Sequence, residues 1–262
     1  MKTALGQLHL YWEDKQKNLE KIERYMQMLS KKDTDLFLLP EMSLTGFSMR
    51  TEKTKENHKE TVGWIQKLAG KYDMAVGVGW VQDAGALCEN HYSIVTPEAE
   101  ILDYTKLHPF RYGGETEYFQ GGNELPTCEY KGVRIGVQIC YDLRFPEPFQ
   151  KLSNEVDLII VPANWPAARS SHWKCLLQAR AIENMVYLAG VNCAGEMDGR
   201  YYSGDSGMYM PDGEKAEMEI LRIPDSCSEE CVMFCEWKNE VSKYRERFPM
   251  KEDRRESFYK KL

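Results

Sequence analysis

Apolar runs of strand length alternate with helix-period segments along this chain, and that alternation restricts its fold more than any other feature. The runs are DLFLLP (35–40), MAVGVGWV (74–81), VRIGVQI (133–139), DLIIVPA (157–163) and VYLAGVN (186–192). A strand with one wet face alternates apolar and polar residues, so near-continuous apolar runs predict strands covered on both faces. Residues 14–30 repeat Leu19, Ile22, Tyr25, Met26 and Leu29 at helical spacing. A second helix is expected over 59–72. A third, capped by Ser170 or Ser171, turns Trp173, Leu176, Leu177 and Ala181 inward. Ala4 to Leu10 reads as a first strand, and HYSIVT with ILDYTK, joined by PEAE, as a β-hairpin. Near the end, the strand CVMFCEW precedes a charged helix, KNEVSKYRERFP, stopped by Pro249. The pattern predicts an α/β architecture whose ligands gather at the carboxyl ends of strands. With no repeat and no Pro/Gly/Ser-rich linker, one domain is expected over 1–262, its segment from about 237 lying at the surface or on a partner subunit.

Charge and cysteine usage exclude several classes. Lys and Arg number 34 against 41 Asp and Glu, a net charge of −7 with no basic stripe, so a nucleic-acid partner is not expected. The longest apolar runs fall short of the roughly 20 residues that span a bilayer. MKTALGQLHLYWED meets acidic residues too early for a signal peptide, so the expectation is a cytoplasmic protein with no membrane partner. The eight cysteines are then reduced thiols. They include no C-x-x-C pair, and Cys227, Cys231 and Cys235 have no nearby His, so no metal site is expected. Cys231, Met233 and Cys235 read instead as one buried face of their strand.

Three strand ends carry reactive side chains: Glu41 after DLFLLP, Lys106 after ILDYT and Cys140 after VRIGVQI. Each alone has an ordinary alternative, as a turn cap, a solvated strand end and a small buried hydrophobe. Together they make chemical sense. A thiol attacks as its thiolate and needs a base, which Glu41 supplies, and a cation, which Lys106 supplies. The ammonium and the Tyr141 backbone N–H would then hold the oxyanion formed on attack at a carbonyl.

The segments LLPEMSLTGFS, YTKLHPF and GVQICYDLRFPE resemble the three signatures of the nitrilase, or carbon–nitrogen hydrolase, superfamily, in the family's order Glu, Lys, Cys. VPANWPAARSSHW, LLQARAIENMVYLAGVN, YYSGDS and YRERFP extend the resemblance over nearly the whole chain, which is most similar to the omega-amidase branch. The resemblance implies a four-layer α-β-β-α sandwich that forms a homodimer or higher homo-oligomer, and a Glu-Lys-Cys triad working without metal or organic cofactor. It also implies a second glutamate in the loop between Lys and Cys. Glu115 is preferred over Glu117 because it stands seven residues before Gly122, as in the family's loop.

The reaction so implied is hydrolysis of the side-chain amide of a small 2-oxo acid, 2-oxoglutaramate or 2-oxosuccinamate, through a thioester. Such a substrate carries a carboxylate, for which Arg111, Arg144 and Arg169 are candidates. Asn164, Trp165, Phe47 and Phe110 are expected to line the pocket, while Glu183 is expected to pair with Arg180 and Asp205 to pin a loop. The alternatives are an amidase of the same superfamily for another small amide, a Cys–His hydrolase using His108 or His172, and a non-catalytic dimeric scaffold or redox sensor built on Cys140.

Overall fold

Two β-sheets lie face to face in the computed structural model, which describes residues 1–224 and 226–259. The first sheet is built on β1 (Lys2–Gln7), β2 (Leu36–Leu38), β3 (Ala75–Asp83), β4 (Cys88–Val95) and β5 (Glu100–Thr105). The second contains β6 (Thr127–Tyr130), β7 (Val133–Val137), β8 (Leu158–Ala163), β9 (Tyr187–Asn192) and β10 (Gly207–Tyr209). A late strand, β11 (Cys231–Glu236), returns to the first sheet antiparallel to β1, with Glu219–Leu221 outside it. From that edge the first sheet runs β11-β1-β2-β3-β4-β5, with short strands Lys55–Glu56 beside β3 and Phe119–Gln120 beside β4. The second runs β10-β9-β8-β7-β6. β1, β2 and β3 are mutually parallel, as are β7, β8 and β9, whereas β3-β4-β5 is an antiparallel meander.

The period of two along each strand builds the layers. Leu36 and Leu38 of β2 face Ile135, Val137, Leu158, Ile160, Ala189 and Val191 of the second sheet, forming a dry sheet-on-sheet core. Phe37 points the other way, against α1 (Lys15–Ser30) and α2 (Glu60–Tyr72). Ile159 and Val161 likewise turn outward onto α3 (Pro146–Leu152) and α4 (Ser170–Asn184), with Phe149, Trp173 and Leu177 filling that layer. The result is the four-layer α-β-β-α sandwich that the resemblance implied.

Most expected elements occur within a few residues of their bounds. β1 ends at Gln7 rather than Leu10, and α1 starts at Lys15 with the Asp14 side chain accepting from the Lys17 N–H. The expected serine cap of α4 is corrected: Ser170 is the first helical residue, and its hydroxyl donates to Asp205 instead. Leu176 is only half-buried, beside a fully buried Leu177. β11 buries Cys231 and Cys235 but leaves Met233 only half-buried, and their neighbour Val232 is as buried as the cysteines because helix layer and sheet core cover opposite faces. The charged helix forms as α5 (Val241–Arg247), whose Arg245 donates to the Ser153 and Met185 carbonyls, so this segment packs back on its own chain. No helix among the described residues is long and apolar enough to cross a membrane.

Candidate active site

The carboxyl ends of β2, β5, β7 and β8 open on one side of the sandwich, and each carries a polar side chain into the same space. Glu41 follows β2 and starts a tight turn in which Met42 adopts a left-handed φ of 46°. β3 fixes that turn: Ser43 N–H donates to the Gly79 carbonyl at 2.9 Å, and Gly79 N–H to the Ser43 hydroxyl at 2.8 Å. Position 79 has to be glycine, since a Cβ there would lie 2.4 Å from the Met42 nitrogen.

Lys106 follows β5 and is 1% exposed, a long cation held away from water. Its Nζ donates to Glu41 Oε1 at 2.9 Å and to Glu115 Oε2 and Oε1 at 2.8 and 3.0 Å. Glu115 is completely buried and sits in a single helical turn, where it also accepts from the Phe110 N–H. Glu117, two residues on, points to solvent. Asn90 of β4 donates to both carboxylates, at 2.9 Å to Glu41 and 3.3 Å to Glu115. Asn164, just past β8, donates through its backbone N–H to Glu41 Oε2 at 3.0 Å and through Nδ2 to the Glu41 carbonyl at 2.7 Å. Glu41 is therefore gripped by donors from both sheets.

Cys140 lies just beyond β7 at a left-handed φ of 46°, a conformation that a non-glycine residue adopts only when its surroundings impose it. The turn Cys140–Arg144 that it opens is tied by the fully buried Asp142, which accepts from the Ile139 N–H at 2.9 Å. From the helix layer, Arg180 Nη2 donates to the Leu143 carbonyl at 3.0 Å while Nη1 pairs with Glu183 at 2.8 Å, as the sequence suggested for that pair.

Burial dominates the electrostatics. It disfavours the Lys106 ammonium, but the Glu115 and Glu41 charges more than offset this and hold its pKa above the ordinary lysine value. Glu115 is pushed up by burial, against the pull of Lys106 and with a further push from Glu41. The Cys140 thiol is raised well above the usual range by burial and by the Glu41 charge, with Lys106 and the Asn164 N–H opposing. Two carboxylates, one ammonium and a neutral thiol can move a proton between sulfur and carboxylate without separating charge in a dry site.

The pocket above these groups is a narrow cleft, with a cavity volume of about 40 Å³. Phe47, Phe110, Tyr141, Asn164, Trp165 and Arg169 all line it, as does Arg144. Arg144 stacks on Trp165 and Arg169 on Phe110, with guanidinium carbons 4.8 and 5.6 Å from the ring centres. Arg111 is exposed and outside the pocket. His108 is turned away, its Nδ1 donating to Asp142 at 2.8 Å and its ring stacked on Phe145. His172 contacts Arg144. Two features of the site, one in the pocket wall and one in the network behind it, escaped the sequence. Arg200 arrives from the hairpin Ala194–Met197/Arg200–Ser203, directly before the YYSGDS segment but far along the chain from the three signature motifs. Asn90 could have been noticed as an amide inside an otherwise strand-like run.

A carbon-nitrogen hydrolase family model matches residues 2–218. An omega-amidase YafV from Yersinia enterocolitica is 36% identical over 95% of this chain and 94% of its own length. A 2-oxoglutaramate amidase from Bacillus subtilis is 31% identical over 92% of this chain and 93% of its own. Among solved structures, a CN-hydrolase superfamily protein from Xanthomonas campestris, with an arsenic adduct in its active site, superposes with a TM-score of 0.85 at 30% identity, covering 97% of each chain.

Proposed function

The chain belongs to the carbon–nitrogen hydrolase family, and from that premise we propose that it hydrolyses the side-chain amide of a small 2-oxo acid, 2-oxoglutaramate or 2-oxosuccinamate, to the dicarboxylate and ammonia. The observation that carries this reading is the pocket lined by Lys106, Cys140 and three guanidinium groups, with Glu41 and Glu115 buried behind it on the Lys106 ammonium. The family membership and the names of the amidases it resembles support the choice of bond.

In the proposed reaction Cys140 passes its proton to Glu41 as the sulfur attacks the amide carbon. The oxyanion that forms is met by the Lys106 ammonium and the Tyr141 N–H, donors already in place before charge develops. Glu41 returns the proton to the departing nitrogen, ammonia leaves, and a thioester remains on Cys140. Glu41 then takes a proton from water as the hydroxide attacks the thioester, and the intermediate collapses to the acid while Glu41 passes that proton to the leaving Cys140 sulfur, restoring thiol and carboxylate. Glu115 keeps Lys106 charged and aimed, while Asn90 and the Asn164 N–H fix the carboxylate that shuttles the proton. No step calls for a cofactor.

The substrate's far carboxylate is assigned to the arginines. Arg144, Arg169 and Arg200 line the pocket, and none forms an ion pair with a carboxylate side chain among the described residues. Aromatic stacking orients the first two, and apart from the Arg144 Nη2 contact with His172 it leaves N–H donors that an anion could take. The enzyme is read as a homodimer, on the resemblance.

The test is ammonia release from 2-oxoglutaramate by the purified protein, beside glutamine, succinamate, a simple nitrile and a Cys140→Ala control. Fast turnover of the keto-amide, poor turnover of glutamine and none in the control are expected. Faster release from glutamine or succinamate than from the keto-amide would sink the substrate assignment. Undiminished release by Cys140→Ala would sink the mechanism.

A further inference from the structure

Lys106 and Cys140 stand on different sheets, so some contact must fix one against the other across the sandwich. Besides Glu41, which takes Lys106 from one sheet and the Asn164 N–H from the other, a second buried carboxylate spans the gap. Asp142 is fully buried and accepts four hydrogen bonds. Its Oδ2 takes the Ile139 N–H at 2.9 Å, next to Cys140, and the Tyr104 hydroxyl at 2.8 Å. Its Oδ1 takes the His108 backbone N–H at 2.9 Å and the His108 Nδ1–H at 2.8 Å. The Tyr104 hydroxyl in turn receives the Leu107 N–H at 3.3 Å. The backbone after Lys106 and the backbone before Cys140 therefore hang on the same two oxygens.

We propose that Asp142 is a positioning residue that holds the Lys106 ammonium in register with the Cys140 sulfur, with His108 and Tyr104 as its grips on the lysine side. It acts only through these neighbours. The inference deepens the reading of Lys106 and Cys140 given above and rests on it. Charge-assisted hydrogen bonds to a buried carboxylate are short and directional, which suits them to fixing geometry. Misplacing a reacting group by about 1 Å can cost on the order of 100-fold in rate. The arrangement also gives His108 an occupation other than acid–base chemistry: its Nδ1 is spent on Asp142 and its ring lies flat on Phe145, 3.9 Å between centroids.

The test uses Tyr104→Phe, His108→Ala, His108→Asn and Asp142→Asn. An asparagine at 108 can present its amide N–H where the imidazole presents Nδ1–H, but it cannot carry a proton between reactants. Two readouts are taken on folded protein: kcat and KM for amide hydrolysis, and the rate at which iodoacetamide alkylates the Cys140 peptide, which needs no substrate. Tyr104→Phe and His108→Ala are expected to lower kcat by about 10- to 100-fold, with KM within about twofold, and to change the alkylation rate. His108→Asn should recover most of the loss. Asp142→Asn should be at least as slow as the worse of the two; if it does not fold, the other three variants decide. Unchanged kcat and alkylation in Tyr104→Phe and His108→Ala, with only a lower melting temperature, would reduce Asp142 to a structural tie. A loss in His108→Ala that His108→Asn fails to restore would also overturn the proposal, in favour of proton transfer by the imidazole. Cys140→Ala is run alongside: full turnover there removes the underlying reading, whereas a dead Cys140→Ala with fully active Tyr104→Phe and His108→Ala removes this inference alone.

Discussion

The Cys140 thiol is the residue whose electrostatics differ most from those of a thiol paired with histidine. Burial and the Glu41 charge push its pKa well up, so at neutral pH it holds its proton until a substrate arrives. A thiolate–imidazolium pair would show the reverse, a reactive thiolate already formed at neutral pH. Alkylation of Cys140 by iodoacetamide is accordingly expected to climb through pH 9 without levelling off; a plateau near pH 7 would contradict it. At this scale the sequence was most informative where a reactive side chain ends an apolar strand, because a strand end fixes position in an α/β sheet. Glu41, Lys106 and Cys140 stand out for that reason, and Glu115 through the family resemblance, whose loop places a glutamate seven residues before Gly122. Arg200 and Asn90 were not. Arg200 reaches the pocket through a hairpin whose placement depends on tertiary packing, and Asn90 resembles any polar residue in a strand. Asp142 was read only as part of a motif, since the donors it gathers from Tyr104 and His108 come from segments over thirty residues away in the chain.

At the scale of elements, the site depends on how closely β3 approaches the turn after β2. The Gly79 backbone exchanges hydrogen bonds with Ser43 and leaves no space for a side chain, a Cβ at 79 being 3.1 Å from the Glu41 Cα and closer still to the Met42 nitrogen. Both neighbours are backbone atoms in a left-handed turn, so the strain cannot be relieved by a rotamer change. Gly79→Ala is expected to destabilise the fold by roughly 1–3 kcal/mol and to lower kcat at least tenfold, since the turn that moves is the one carrying Glu41. Denaturant melts and steady-state rates check both. Wild-type kcat in a destabilised Gly79→Ala would mean that the turn absorbs the strain without moving Glu41. Element boundaries were less legible than element types. The α4 cap is the clearest instance: two serines at a helix start look like caps, but Ser170 is drawn to Asp205, a residue that joins it only after the second sheet and its hairpin have folded.

At the scale of the whole molecule, the ion cluster sits between the two sheets, so its charge balance bears on the stability of the entire sandwich. Lys106 is the one side-chain cation touching Glu41 and Glu115 among the described residues, and Lys106→Met would leave two buried carboxylates facing each other. Removing one partner from a buried ionic group costs about 3–5 kcal/mol, and here the cost depends on pH. Glu115 already has its pKa raised by burial, with Lys106 pulling it down. Losing the lysine raises it further. A folded-state carboxyl that keeps its proton to higher pH than the unfolded chain binds more protons in between, so stability falls as pH rises through that window. Another buried carboxylate, Asp157, behaves oppositely. Burial raises the Asp157 carboxyl, but the Arg134 guanidinium and N–H more than offset it and hold it below its ordinary value. Its contribution is present above about pH 4 and is lost as pH falls through the depressed value. Wild-type protein should therefore lose stability on strong acidification, while Lys106→Met, weakest near pH 8, should recover part of its deficit between pH 8 and pH 5. Urea midpoints of both proteins at pH 8, 6.5 and 5 measure the difference. Parallel curves would mean that the two carboxylates are not left uncompensated inside the sandwich, and that water or a shifted side chain takes the place of the ammonium.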